Sequence, residues 1–248
     1  MKKNTENLDN YKDAYKQNFK FHDENIWYLT LYANLMCKKI KEKNFKSVLS
    51  LGIGHNVVSD EITKLLKTDL DLYHIVEGSP EIIADFKKRN DFPKIKLFNS
   101  YFEDFNPDVK YDAIEMGFVL EHVDDPLLII ERFKNFLNKD GILFISVPNA
   151  KSLHRVIGHK AGLLPNLYEL SQYDLELGHK RYFDLDSIKA LVQKAGLQII
   201  NQKGLMLKPI TGEQIKKLDW GINIIDALMD IGQDYPEISN CIYLESTL

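Results

Sequence analysis

The sequence predicts an α/β fold in which a largely parallel sheet is covered by helices on both faces. From Lys46 onward, short apolar runs alternate with amphipathic stretches. The runs are almost continuous in Val, Ile, Leu and Phe, as strands buried on both sides are, and do not alternate in polarity as a half-exposed strand would. The stretches between them carry helix start and stop signals. A length of 248 residues, with 44% hydrophobic and 27% charged residues, accommodates one large domain with embellishments and a sizeable core.

Residues 1–22 are polar with scattered aromatics (Tyr11, Tyr15, Phe19), and residues 25–43 are helical in pattern, with Leu31, Leu35 and the Cys37–Ile40 run before a lysine-rich end. Residues 1–44 are therefore expected to form an N-terminal helical lid on a main domain spanning 45–248. In that domain SVLSL (47–51) precedes a helix over 57–67, LYHIV (72–76) one over 80–89, then IKLF (95–98), YDAIEM (111–116), a helix over 126–138 and GILFISV (141–147). Asp125-Pro126 supplies an N-cap and a first-turn proline for the helix carrying Ile130, Phe133 and Leu137, and Gly141 follows it. Asp184 caps a helix with Ile188, Leu191, Val192 and Ala195 on one face, closed by Gly196. LQIINQ (197–202) and SNCIYLES (239–246) supply two further strands. Residues 148–183 are too long for a plain connection and too apolar for disorder, so they are expected to fold over the sheet as a substrate cap.

A net charge of −4 offers no global attraction to nucleic acid or an anionic membrane. Cys37 and Cys241 stand alone, outside any metal-ligand spacing, which fits a reducing compartment. With no apolar run approaching ~18 residues and no apolar segment after the first lysines, neither a signal peptide nor a membrane span is expected, and the location expected is cytoplasmic. No His-x-x-x-His, paired cysteines or spaced carboxylates point to a metal, so none is expected; no nucleophile elbow or Walker loop occurs either.

Chemistry enters at Gly52-Ile53-Gly54, directly after the first strand. Glycines there let the backbone pass close to a ligand, although the same pattern also serves as a plain tight turn. Glu77, ending the second strand before Gly78, adds a carboxylate able to accept from both hydroxyls of a ribose. Together they point to an adenosine-containing ligand, either a dinucleotide or S-adenosylmethionine.

YDAIEMGFVLEHVDDP followed by GILFISVPN resembles the fourth strand, post-strand loop and fifth strand of class I S-adenosylmethionine-dependent methyltransferases, over about residues 46–246. The resemblance implies a Rossmann-like seven-stranded sheet of order 3-2-1-4-5-7-6, its last strand antiparallel, with S-adenosyl-L-methionine over the carboxyl ends of the first strands. It places Gly52 and Gly54, with Ile53, beside the methionine moiety; Glu77 and Gly78 at the ribose; Tyr101, Phe102 and Glu103 at the adenine; and Gly117 and Phe118 at the methionine end. Ser50 stands where an acid is frequent, so contact to the cofactor's ammonium is weaker or comes from another residue. Asn56 replaces a glycine but tolerates left-handed backbone.

Methyl transfer to a hydroxyl needs a proton acceptor, and His122 and His179 are the candidates, with His179 favoured for proton removal and His122 for shaping the methyl pocket. His122 also reads as a histidine bonded to loop backbone. Two of the chain's arginines, Arg155 and Arg181, stand beside histidines in the cap and with Asn149 and His154 are the expected acceptor contacts; guanidinium forks favour an anionic group, while the plain alternative is a solvated loop. PNAKSLHR and GHKRYF are similar to segments of methyltransferases associated with surface polysaccharides, which makes a sugar, nucleotide-linked sugar or glycan substituent the expected acceptor. The rivals are N-methylation of an amino sugar, an NAD-dependent oxidoreductase, and a non-catalytic nucleotide-binding module.

Overall fold

The apolar runs become β1 (Ser47–Leu51), β2 (Leu72–Glu77), β3 (Ile95–Asn99), β4 (Tyr111–Gly117), β5 (Leu137–Pro148), β6 (Gln198–Leu205) and β7 (Cys241–Thr247), joined in one sheet of order β3-β2-β1-β4-β5-β7-β6. The first five strands pair in parallel, and β7 runs antiparallel between β5 and β6. This is the order that the resemblance implies. The computed structural model describes residues 7–15, 22–89 and 94–248; Phe19, one of the scattered N-terminal aromatics, lies outside them.

Each face of the sheet has its own core. On one, α1 (His22–Glu42), α2 (Val57–Leu65) and α3 (Pro80–Arg89) pack Tyr32, Met36, Ile40, Ile62 and Phe86 against Val48, Tyr73 and Ile75. On the other, α4 (Pro126–Lys134) and α7 (Leu185–Lys194) pack Ile130, Phe133, Ile188 and Val192 against Leu49, Ile114 and Leu143. All of these but Phe86, at 1%, are wholly removed from solvent. Each such side chain contributes about 1.5–3 kcal/mol before the entropy of ordering it is counted. The caps read from sequence are present: the Asp125 side chain accepts from Leu128 N at 3.1 Å, and Asp184 accepts from Ser187 N at 2.8 Å.

The largest departure is at the α4–β5 join. The helix expected to reach 138 stops at Lys134, and β5 starts four residues before Gly141, with Leu137 pairing Tyr111. Gly141 is not a helix stop. A Cβ there would lie 3.0 Å from the carbonyl oxygens of Asn138 and Asp112, so the glycine lets β5 pass close to the β4 backbone at an irregularity in the pairing. Four helices were not anticipated individually: α5 (Leu153–Lys160) and α6 (Gln172–Glu176) within the cap, and α8 (Gly212–Leu218) and α9 (Ile222–Gly232) before β7, the last two gathered around Met206, Ile215 and Ile225. Among the described residues, no helix is long and apolar enough to cross a membrane.

Candidate functional site

In an open α/β sheet the loops leaving the strands' carboxyl ends diverge where the strand order reverses, and a crevice opens there. Here that point is between β1 and β4, and a cavity of about 350 Å³ lies over it. Gly52, Ile53, Gly54, Glu77, Phe102, Gly117, Phe118, His122, Asn149, His154, Arg155 and His179 all line it, whereas Gly78, Tyr101, Glu103 and Arg181 do not.

The loop after β1 turns through three left-handed residues, Gly52 (φ 87), Gly54 (φ 55) and Asn56 (φ 65). This explains why asparagine stands where a third glycine is usual. Glu77 holds the loop in place, its Oε2 accepting from Ile53 N at 3.1 Å and its Oε1 from Ser79 N at 2.8 Å. Burial pushes the Glu77 carboxyl up, and those backbone donors work against the shift. With backbone donors from Ile53, Gly78 and Ser79, the carboxylate still has acceptor capacity left for a ligand.

The acid missing at Ser50 is found one strand away. Glu115 sits beside Ser50 in the β1–β4 register, is buried, and lines the same cavity. Its Oε1 accepts from Gly117 N at 2.7 Å and from Tyr32 Oη at 3.1 Å. Burial outweighs these bonds and raises its pKa to about 7. Gly117 is required here, because a Cβ would come within 2.6 Å of the Tyr32 ring. Phe118 follows with φ 58, a strained conformation for a non-glycine residue, its ring between Tyr28 and Tyr32 at 5.3 and 6.0 Å.

The 3-10 helix Leu8–Tyr15 lies across this end of the cavity. Leu8 covers Gly78, Asp9 accepts from the Ser79 hydroxyl at 2.5 Å, and the Tyr15 ring meets His55 edge-on at 5.2 Å. Gly78 is thus packed under the chain's own N-terminal segment. His74, inside β2, bonds the Tyr111 hydroxyl through Nδ1 at 2.8 Å and does not line the cavity.

Opposite the glycine loop an acid–histidine centre forms. The His122 and His179 rings meet edge-on at 4.7 Å, and Glu121, fully buried, lies against them with both carboxylate oxygens unpartnered. His179 Nδ1 is 3.2 Å from Asp174 Oδ1. Burial alone would raise the Asp174 carboxyl, but the His179 ring beside it and the hydrogen bonds from Ser171 hold it down at about 2. Burial pushes His122 down to about 3, which keeps its imidazole neutral, and pushes Glu121 up to about 7.

The remaining wall is polar and aromatic. Asn25 Nδ2 is 3.1 Å from His55 Nε2 and 3.2 Å from the Tyr173 hydroxyl, and a buried Lys208–Glu24 ion pair faces the same space. Asn149 is occupied: its amide donates to the carbonyls of Pro236, Glu237 and Ser239 and its oxygen accepts from Lys151 N. The two arginine forks are occupied as well. Arg155 donates to the Leu167 and Glu169 carbonyls and stacks on Tyr182 at 4.2 Å, and Arg181 donates to the carbonyls of Leu120, Val123 and Asp124. In this geometry they brace the cap and the loop after β4. Arg181→Ala is expected to destabilise the protein by about 1–3 kcal/mol, the lower end if water replaces the guanidinium. Urea unfolding measures this, and a change below half a kcal/mol would remove the bracing role.

Sequence reasoning missed Glu115, Glu121, Asn25, Tyr173 and the Lys208–Glu24 pair. Glu115 left a signal, an acid inside an apolar strand run. Glu121 stands beside His122 inside the quoted YDAIEMGFVLEHVDDP stretch, whereas Tyr173 and the Lys208–Glu24 pair find their partners far away in sequence.

The chain matches the model of a family described as a methyltransferase domain over residues 22–202. It is 31% identical over 112 residues to a ubiquinone biosynthesis O-methyltransferase from Glaesserella parasuis serovar 5 (strain SH0165), a match spanning 42% of this chain and only 46% of that relative. Among solved structures, the plantazolicin methyltransferase BamL, in complex with a desmethyl-plantazolicin analogue and S-adenosylhomocysteine, is similar with a TM-score of 0.62 at 14% identity, over 96% of this chain and 90% of that one. The N-methyltransferase NodS from Bradyrhizobium japonicum WM9, in complex with S-adenosylhomocysteine, is similar with a TM-score of 0.57 at 10% identity, over 93% and 89%. At such identities these two likenesses speak for the fold alone. The family match, covering well over half of the residues, carries the assignment: the chain belongs to the methyltransferase-domain family.

Proposed function

We propose that the protein transfers a methyl group from S-adenosylmethionine to a hydroxyl of a small polar acceptor. The observation that carries this reading is the Glu77 carboxylate, anchored to the glycine loop through Ile53 N and to its own turn through Ser79 N, and lining the cavity. That geometry suits a ribose diol beside a backbone close enough for a sulfonium chain. The cofactor's ammonium lies at Glu115, which takes the place of an acid at Ser50. The 3-10 helix and α1 act as the lid, and the cap closes the acceptor side.

The acid–histidine centre favours an oxygen acceptor, since an alcohol must lose its proton as the new bond forms. His179, held by Asp174, is placed for that step, and His122 shapes the methyl pocket. With both arginine forks turned on carbonyls, Asn25, Tyr173, His154 and the Lys208–Glu24 pair take over recognition. They suit a polyhydroxylated molecule such as a sugar or glycan substituent better than an anion.

Thermal unfolding tests the reading: S-adenosylhomocysteine should raise the melting temperature and NAD should leave it unmoved. A shift with NAD alone would overturn it. Glu115 adds a signature. It is largely protonated below pH 7 in the free protein, and an ammonium beside it favours the ionised form, so binding near pH 6 should release a proton and affinity should climb as pH rises through about 7. Calorimetry in buffers of different ionisation enthalpy reads the proton, and Glu115→Gln should abolish it. Proton release that is unchanged in that variant would exclude Glu115 as the ammonium's partner.

A further inference from the structure

We propose that Glu121, His122 and His179 form a binding site for a divalent first-row transition cation of the zinc, cobalt and iron(II) class, open to the acceptor side of the cavity. One ligand atom from each residue lies within 4.8 Å of the others. Glu121 is wholly buried, yet neither carboxylate oxygen has a hydrogen-bond partner. An unpartnered carboxylate in that position is costly unless something positive completes it. Arg181, a permanent cation whose charge reaches Glu121, is turned instead onto the Leu120, Val123 and Asp124 carbonyls.

The surroundings are those of metal-binding imidazoles. Histidines that ligate a metal generally give their other ring N–H to a carboxylate or a main-chain carbonyl, which fixes tautomer and orientation. Here Asp174 Oδ1 stands at ion-pair distance, 3.2 Å, from His179 Nδ1, without hydrogen-bond geometry to it, and the His122 ring is held by the backbone of Leu177 and Gly178. Asp174 is itself held by Ser171, through N at 2.7 Å and Oγ at 2.6 Å. Two imidazoles and one carboxylate favour borderline transition ions over magnesium or calcium, which take oxygen ligands. Two ligands of one ion sit no more than about 4 Å apart, so the cation would draw the three side chains slightly inward.

No short spacing announces the set: two ligands are adjacent in the loop after β4 and the third lies in the cap, 57 residues on. Three protein ligands leave coordination positions free, and all three residues line the cavity. The ion's role rests on the methyl-transfer reading and changes one assignment within it. An acceptor hydroxyl bound to the ion is acidified by it and gives its proton to solvent, while His179 serves as a ligand.

Cobalt(II) titrated into chelator-stripped protein is the test, followed by visible absorption and by the melting temperature, with S-adenosylhomocysteine affinity measured on the same samples. The expected result is one saturable equivalent with d–d bands and a raised melting temperature. Glu121→Gln and His179→Gln should each weaken cobalt binding at least a hundredfold, and Asp174→Asn ten- to a hundredfold. S-adenosylhomocysteine affinity should hold in the variants, which shows that they are folded. Absence of saturable absorption in the wild-type protein overturns the site without recourse to any variant, and so does binding that survives both Glu121→Gln and His179→Gln. Cobalt binding that depends on these residues in a protein that ignores S-adenosylhomocysteine would keep the site and overturn the methyl-transfer reading.

Discussion

Glu77→Ala is expected to lose about 2–4 kcal/mol of S-adenosylhomocysteine binding, roughly 30- to 1,000-fold in Kd, because two charge-assisted bonds to the ribose disappear together. The same carboxylate also holds Ile53 N and Ser79 N, so the free protein should lose stability as well. Glu77→Gln separates the two effects. It keeps a carbonyl oxygen for one backbone donor but gives up the charge and one acceptor, so it should fall between wild type and alanine in both properties. Calorimetric titration of the three proteins, with their melting temperatures, measures this. Affinity of the alanine variant within threefold of wild type would mean that the carboxylate organises the loop and does not touch the ligand.

The strands were legible because those buried on both faces have an almost continuous apolar signature, seen in SVLSL, LYHIV and GILFISV, while their order followed only from the family resemblance of the stretch spanning the fourth and fifth strands. The glycine loop and Glu77 were legible because a tight turn and a strand-end acid are local features. The helices of the cap were not, since α5 exposes every side chain at least partly and α6 has only five residues. Nor was the part played by the arginines. A sequence shows that Arg155 and Arg181 stand beside histidines, but not that carbonyls 12 to 61 residues away occupy their donors. Ser50 illustrates the same limit from the other side: the serine is visible as a departure, whereas a buried acid beside it at Glu115 exists only in the pairing of β1 with β4.

Replacing His179 by alanine is expected to lower turnover by ~10²–10⁴-fold while both ligands still bind, the range for a lost group that handles a proton. The size of the effect follows from what the position does under either arrangement of the centre. As a base, His179 is oriented by Asp174 and takes the proton directly; as a ligand, it helps to hold the charge that acidifies the acceptor. His122 faces it at 4.7 Å, half-buried, and desolvation keeps it neutral. His122→Ala should therefore cost less turnover than His179→Ala if the ring only shapes the methyl pocket, and about as much if both rings hold an ion. Cofactor affinity is the control, because Glu77 is held by the Ile53 and Ser79 backbone independently of either ring and should not register either change. The decisive measurement is single-turnover methylation at saturating cofactor, which isolates the chemical step from product release. If neither His122→Ala nor His179→Ala slows that step by even tenfold, the acceptor arrives needing no help with a proton. A neutral amine would then replace the hydroxyl as the group that receives the methyl.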